Sequence, residues 1–143
     1  MNKTFSAQLN TAVNASLLAG KSIMRFYSRL DSLKITSKGF NDYVSEADQE
    51  SEKIITDELS KKYPNYKITA EESGSNKVNS EFEWFIDPLD GTTNFIHGIP
   101  QFAISIGLCK NKVPILGVVY DPFKNELFCA EEGNGAYLNN KRI

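Results

Sequence analysis

Asp87 and Asp90 stand three residues apart in Glu83-Trp84-Phe85-Ile86-Asp87-Pro88-Leu89-Asp90-Gly91-Thr92-Thr93-Asn94-Phe95, where an apolar run gives way to a turn. Carboxylates at the exit of a buried strand are costly to desolvate unless a cation or hydrogen-bond donors compensate. The chemistry they suggest is divalent-metal binding. Asp87 leaves the strand, Pro88 fixes the chain direction and Asp90 returns within the same turn, so both carboxylates can face one ion and Asp90 could bridge two. Gly91 permits a sharp turn, and Thr92, Thr93 and Asn94 can open a short helix whose free N–H groups point at an anion such as phosphate. The plainer alternative is an Asp-Gly turn whose first aspartate caps that helix.

A second acidic pair, Glu71-Glu72 in Ala70-Glu71-Glu72-Ser73-Gly74, follows the apolar Ile68. Neighbouring side chains at a strand end point to opposite sides, so one of the two can face an ion and the other is left to solvent or a supporting contact. An oxygen-only donor set without nearby cysteine or imidazole favours Mg²⁺ over zinc, and the clustering suits two or more ions. His97, the single histidine, sits in the loop-like Ile96-His97-Gly98-Ile99-Pro100 and reads as structural or solvated. Lys38 reads as a solvated lysine.

Two helices and a run of strands must position these groups. Phe5, Leu9, Val13, Leu17, Gly20, Met24 and Tyr27 recur at helical spacing and predict one long amphipathic helix. A second is predicted from Ser45 to Lys62, with Ala47, Ile54, Ile55 and Leu59 on one face, Ser45-x-x-Asp48 as its capping box and Pro64-Asn65 as its stop. Strands are then predicted at 67–70, 83–86, 102–110, 113–120, 126–130 and 136–139, separated by short hairpin-type connections. The expected fold is α+β, two long helices packed on one face of a mostly antiparallel sheet. The stretch 74–80, small and polar, is expected to be a loose loop beside the acidic pair. Trp84 is expected in the core beneath the acidic strand.

Length and composition narrow the class further. The 143 residues suit one domain with a real core, and 16 basic against 18 acidic residues give no bias toward nucleic acid or an anionic membrane. No apolar run reaches the roughly 20 residues of a membrane span and the first residues do not form a signal-peptide core, so a cytoplasmic location is the expectation. Cys109 and Cys129, in strand-like apolar runs, are read as free core thiols.

The Asp87–Phe95 segment resembles the first signature of the inositol monophosphatase family of Mg-dependent phosphatases. Ala70–Gly74 and the box Asn41-Asp42-Tyr43-Val44-Ser45-Glu46-Ala47-Asp48 match that family too, in the same order and at similar spacing. The resemblance implies that Glu71, Asp87, Asp90 and the Leu89 carbonyl hold two or three Mg²⁺ ions. It implies that Thr92, hydrogen-bonded to Asp48, orients the water that attacks phosphorus, and that Leu89, Asp90, Gly91 and Thr92 meet the substrate phosphate. Lys38 matches a basic residue near the active site of that family. Hydrolysis of a phosphate monoester such as inositol monophosphate, and sensitivity to lithium, are implied with it. So is a small phosphorylated polyol as substrate. A homodimer without membrane contact is the expected assembly. Sugar or nucleotide phosphatases of the fructose-bisphosphatase or bisphosphate nucleotidase kind share the metal boxes and stand as the alternative. A non-catalytic role is a further alternative, since a bacterial branch of the family is linked to the transcription machinery. Members continue into a second α/β half, so residues 1–143 are expected to form the N-terminal, metal-binding half of a layered αβαβα fold. By itself that half should bind metal weakly, turn over poorly and self-associate.

Overall fold

A computed structural model describes residues 4–39 and 42–143. Met1–Lys3, Phe40 and Asn41 lie outside the described residues, and with them the opening residue of the Asn41–Asp48 box.

Helix α1 (Ala7–Tyr27) starts at Ser6, whose hydroxyl accepts from the Leu9 amide at 3.1 Å. Phe5 falls one residue ahead of this cap, where it packs edge-on against Tyr137 at 5.2 Å. The buried stripe of α1 also differs from the expected one. Leu17 is 37% exposed, while Ala12, Ala15, Ser16, Ala19, Gly20 and Ile23 are buried. The helix packs against both the sheet and helix α2 (Glu46–Lys62), which lies beside it on the same sheet face, and small side chains let its backbone approach both. At Gly20 an added Cβ would lie 2.5 Å from the Tyr120 ring.

Helix α2 begins as its sequence demands. The Ser45 hydroxyl and the Asp48 carboxylate cap each other's backbone amides, and Ala47, Ile55 and Leu59 are buried with Ile54 at the margin. Before it, β1 (Ile35–Gly39) and β2 (Asp42–Ser45) form a separate antiparallel hairpin that periodicity does not reveal, because β1 is exposed along its whole length. After it come β3 (Lys67–Ala70), β4 (Gly74–Ser75), β5 (Phe82–Asp90), the short helix α3 (Thr92–Ile96), β6 (Ala103–Lys110), β7 (Val113–Asp121), β8 (Glu126–Glu131), β9 (Gly135–Leu138) and β10 (Lys141–Arg142). The eight-stranded sheet runs β10-β9-β8-β7-β6-β5-β3-β4. It is an antiparallel meander except where β3 lies parallel to β5. Asn111-Lys112 and Asn139-Asn140 close two of its hairpins with left-handed residue pairs, as tight two-residue turns require.

The expected loose stretch 74–80 is tied down at its start. Gly74 and Ser75 pair with β3, and the Asn76 side chain accepts from the Ile68 amide at 3.1 Å. Turn-forming residues conceal so short a strand, since two paired residues leave no alternating pattern.

Strand alternation sends Ile68, Ala70, Trp84, Ile86, Ile104, Ile106, Leu108, Leu116, Val118, Tyr120 and Cys129 into the core beneath the two helices. Full burial of each large apolar side chain contributes about 1.5–3 kcal/mol. The opposite face carries Phe85, Val119 and Phe128 exposed to solvent. Both cysteines are free thiols, and burial pushes both upward from the ordinary thiol range. Among the described residues, no helix is long and apolar enough to cross a membrane.

Gly20→Ala should destabilise the protein by about 1–3 kcal/mol by overpacking against Tyr120, despite alanine's better helix propensity. Leu17→Ala, on the exposed side, should stay within about 0.5 kcal/mol. Urea unfolding of the two variants distinguishes this inward face from the one that spacing alone predicts.

Candidate metal and phosphate site

The site is built at the end of β5. Residues Phe82 to Asp87 follow a regular register with β6, but Asp87 faces Ser105 while Asp90 faces Ala103, so three steps on β5 match two on β6. This is a β-bulge, and it explains how Pro88, which has no amide hydrogen, is accommodated in a strand with partners on both sides. The Asp-Pro-Leu-Asp segment is therefore a deformed strand end, where the sequence suggests a turn. The Leu89 side chain is buried, Asp90 is exposed, and Asp87 accepts from the Leu89 amide at 3.3 Å. Asp87 does not cap α3. That position belongs to Gly91, which makes no side-chain cap bond. Gly91 has φ +89°, and an added Cβ would meet the Gln101 carbonyl at 2.7 Å, so only glycine fits there.

Parallel pairing brings the second acidic group alongside. Ala70 is in register with Ile86, and the Glu71 amide continues the ladder to the Ile86 carbonyl at 3.1 Å. Ala70 and Ile86 face the core, so Glu71 and Asp87 both turn to the other face, where they line one shallow depression with Thr69, Phe85, Ser105 and Gly107. Asp90 lies beyond the lining but acts electrostatically on Asp87. Burial, the adjacent Glu71 and then Asp90 push the Asp87 carboxyl from an ordinary value of 3.8 up to about 8. Among the described residues, no three Asp, Glu, His or Cys side chains are already drawn into a coordination cage.

Glu72 takes the opposite direction, but not to open solvent. Its carboxylate pairs with Lys38 Nζ at 3.0 Å, with the Glu72 side chain 12% and the lysine 32% exposed. Lys38 is thus an ion-pair partner, not the freely solvated lysine that its sequence context suggests. Burial raises the Glu72 carboxyl and the lysine opposes that shift.

Asp48, 1% exposed, divides its two oxygens between two tasks. Oδ2 accepts from the Ser45 amide at 2.9 Å and the Ser45 hydroxyl at 2.6 Å. Oδ1 accepts from the Thr92 hydroxyl at 2.7 Å. The capping role and the threonine contact therefore coexist in one carboxylate. Burial raises the Asp48 carboxyl, and these hydrogen bonds partly offset it. The Thr92 hydroxyl also lies 3.1 Å from the Leu89 carbonyl. His97 is exposed, with Nδ1 2.7 Å from the Thr93 carbonyl one helical turn back, which fits a structural role.

Two groups escaped the sequence reading. Ser51 donates to the Pro88 carbonyl at 2.7 Å, and Glu52, 7% exposed, accepts from the Glu72 amide at 2.8 Å. A signal existed, since both lie one helical turn beyond Asp48 and share its side of α2.

Oxygen donors on a deformed strand end, a threonine held by a buried aspartate and helices covering one sheet face describe the phosphatase fold class suggested by the motifs. Residues 6–143 match the inositol monophosphatase family. The chain is 45% identical to the inositol-1-monophosphatase of Mesorhizobium japonicum over 139 residues, 96% of this chain and 52% of that protein. It is 46% identical to the Nus factor SuhB of Pasteurella multocida over 136 residues, 94% of this chain and 51% of that protein. The crystal structure of extragenic suppressor protein suhB from Bartonella henselae superposes with a TM-score of 0.94 at 46% identity, covering 96% of this chain and 54% of that one. The chain belongs to the inositol monophosphatase family and spans about half the length of these relatives.

The raised Asp87 carboxyl sets a pH dependence. The folded state keeps its proton between roughly pH 4 and 8 while the unfolded chain has released it, so metal-free stability falls as pH rises through that window. Asp87→Asn keeps the acceptor for the Leu89 amide and removes the charge. It should flatten this decline and raise the metal-free Tm at pH 8, as a series of thermal melts from pH 4 to 8 would record.

Proposed function

We propose that the chain is the N-terminal, metal-binding half of a Mg²⁺-dependent phosphatase that hydrolyses a small phosphorylated polyol such as inositol monophosphate. The observation that carries the reading is the Glu71–Asp87 pair. Two carboxylates held side by side at a strand end, one with its proton affinity raised to about 8, form a site that gains stability from a hard cation. The donor set fits. Glu71, Asp87, Asp90 and the Leu89 carbonyl would hold two or three Mg²⁺ ions. Bound there, Mg²⁺ supplies Lewis-acid stabilisation of the phosphate and the leaving alkoxide and makes a water more acidic.

The protein's own residues do the remaining work. The Thr92 hydroxyl donates its hydrogen bond to Asp48, which leaves the threonine oxygen to accept a hydrogen bond from the attacking water and fix its approach. Burial of Asp48 and its two bonds from Ser45 hold that acceptor in place. Asp90, Gly91 and the first amides of α3 would orient the phosphate, and the obligatory glycine lets the backbone come close. The water oxygen would bond to phosphorus as the ester P–O bond breaks, a proton of that water would pass to the leaving oxygen, and no side chain becomes phosphorylated.

The open sheet face with Phe85, Val119 and Phe128 is where a second half would pack. Without it the chain should self-associate, bind Mg²⁺ weakly and turn over poorly, in a cytoplasmic setting. A chimera that continues Ile143 into the second half of the Mesorhizobium relative should release phosphate from inositol monophosphate in a Mg²⁺-dependent and lithium-sensitive way. Fructose 1,6-bisphosphate is the comparison substrate. In that chimera Asp90→Asn should lower kcat by at least about 10²-fold with an unchanged fold. Retained turnover with the same metal dependence would refute the site. The Nus factor name of the Pasteurella relative favours a second reading, a contact with the transcription machinery. Pull-down of RNA polymerase by the Asp90→Asn chimera would separate that role from catalysis.

A further inference from the structure

Helix α2 touches both acidic segments through a single turn. Asp48 reaches Thr92, Ser51 reaches the Pro88 carbonyl inside the bulge, and Glu52 reaches the Glu72 amide. The Glu52 contact is the unusual one. A carboxylate 7% exposed to solvent is costly unless its hydrogen bonds are specific, and this one is directed at the backbone next to Glu71. The Glu71 amide is held by the Ile86 carbonyl and the Glu72 amide by Glu52, so the two peptides that flank the Glu71 Cα are each anchored, one by β5 and the other by α2. Anchoring both peptides fixes the direction in which the Glu71 side chain leaves the strand. It also sets Glu72 within reach of Lys38, which draws the neighbouring carboxylate away from the Glu71–Asp87 depression.

We propose that Glu52 is a positioning residue that clamps the Glu71-Glu72 peptide so that Glu71, and not Glu72, is presented beside Asp87 for cation binding. The inference rests on the metal-site reading above and adds to it a residue outside the ligand set. What matters is the reach of an acceptor oxygen and not the charge, because the group that Glu52 engages is a neutral amide.

Two variants separate these properties. Glu52→Gln keeps an acceptor at the same reach without the charge, and Glu52→Asp keeps the charge but withdraws the acceptor by one methylene. In the metal-free 143-residue chain, hydrogen exchange at the Glu71 and Glu72 amides should accelerate at least about tenfold in Glu52→Asp and stay close to the parent in Glu52→Gln, since loss of the clamp opens this turn locally. Mg²⁺ titration followed by amide shifts should give a dissociation constant about 10–100-fold weaker for Glu52→Asp and near the parent value for Glu52→Gln. Unchanged exchange in Glu52→Asp, faster exchange with unaltered Mg²⁺ affinity, or a larger loss in Glu52→Gln than in Glu52→Asp would each overturn the proposal. If the parent chain shows no Mg²⁺ response, the metal-site reading fails, and exchange at Glu71 and Glu72 decides the clamp by itself.

Discussion

The parallel pairing of β3 with β5 is the constraint on which the candidate site depends. Every other neighbour in the main sheet is antiparallel, and an antiparallel partner would run its chain end away from the end of β5. Because β3 runs the same way, both strands deliver their acidic residues at the same end, and the Ala70–Ile86 register puts Glu71 beside Asp87. The fold thereby sets two like charges together in a partly buried place. That arrangement raises the Asp87 proton affinity and works against folded-state stability at neutral pH. Such local opposition between charge placement and stability is common where a protein is arranged for binding or chemistry.

The bulge at Pro88 and the first turns of α2 complete the geometry. An unbroken strand would alternate strictly, sending Asp87 to one face and Asp90 to the other. The extra residue resets the alternation and turns the chain toward Gly91 and α3. The helix then reaches across with three side chains, Ser51 to the bulge, Glu52 to the segment after β3 and Asp48 to the start of α3. The polar side of α2 near its start is therefore buried for a reason unrelated to core packing, which is why Asp48, Ser51 and Glu52 are buried although polar.

Much of this was legible in the sequence. The capping box at Ser45 specifies the start of α2, and the Asn-rich tight turns and alternating apolar runs specify the meander, because these signals are local. The acidic residues could be singled out by type and spacing. Their arrangement could not, since the β3–β5 register and the bulge depend on partners distant in sequence. Leu17 misled for a related reason: helical spacing selects large apolar residues, while close packing of α1 against both α2 and the sheet selects small ones. The Lys38–Glu72 pair joins residues 34 apart, from an exposed strand, β1, that leaves no alternation to read.

Trp84 lies on β5, three residues before Asp87, fully enclosed by the core and within 6.0 Å of the Tyr63 ring and 6.3 Å of the Tyr66 ring. It is the chain's single tryptophan. Among the described residues its indole N–H has no hydrogen-bond partner, and the two phenol rings are near enough to pass energy to the indole. The strand that bears the acidic residues thus carries its own fluorophore. A strain transmitted along β5 would change emission wavelength and tyrosine-to-tryptophan transfer in the unlabelled protein, making the backbone under the site optically visible without any added dye.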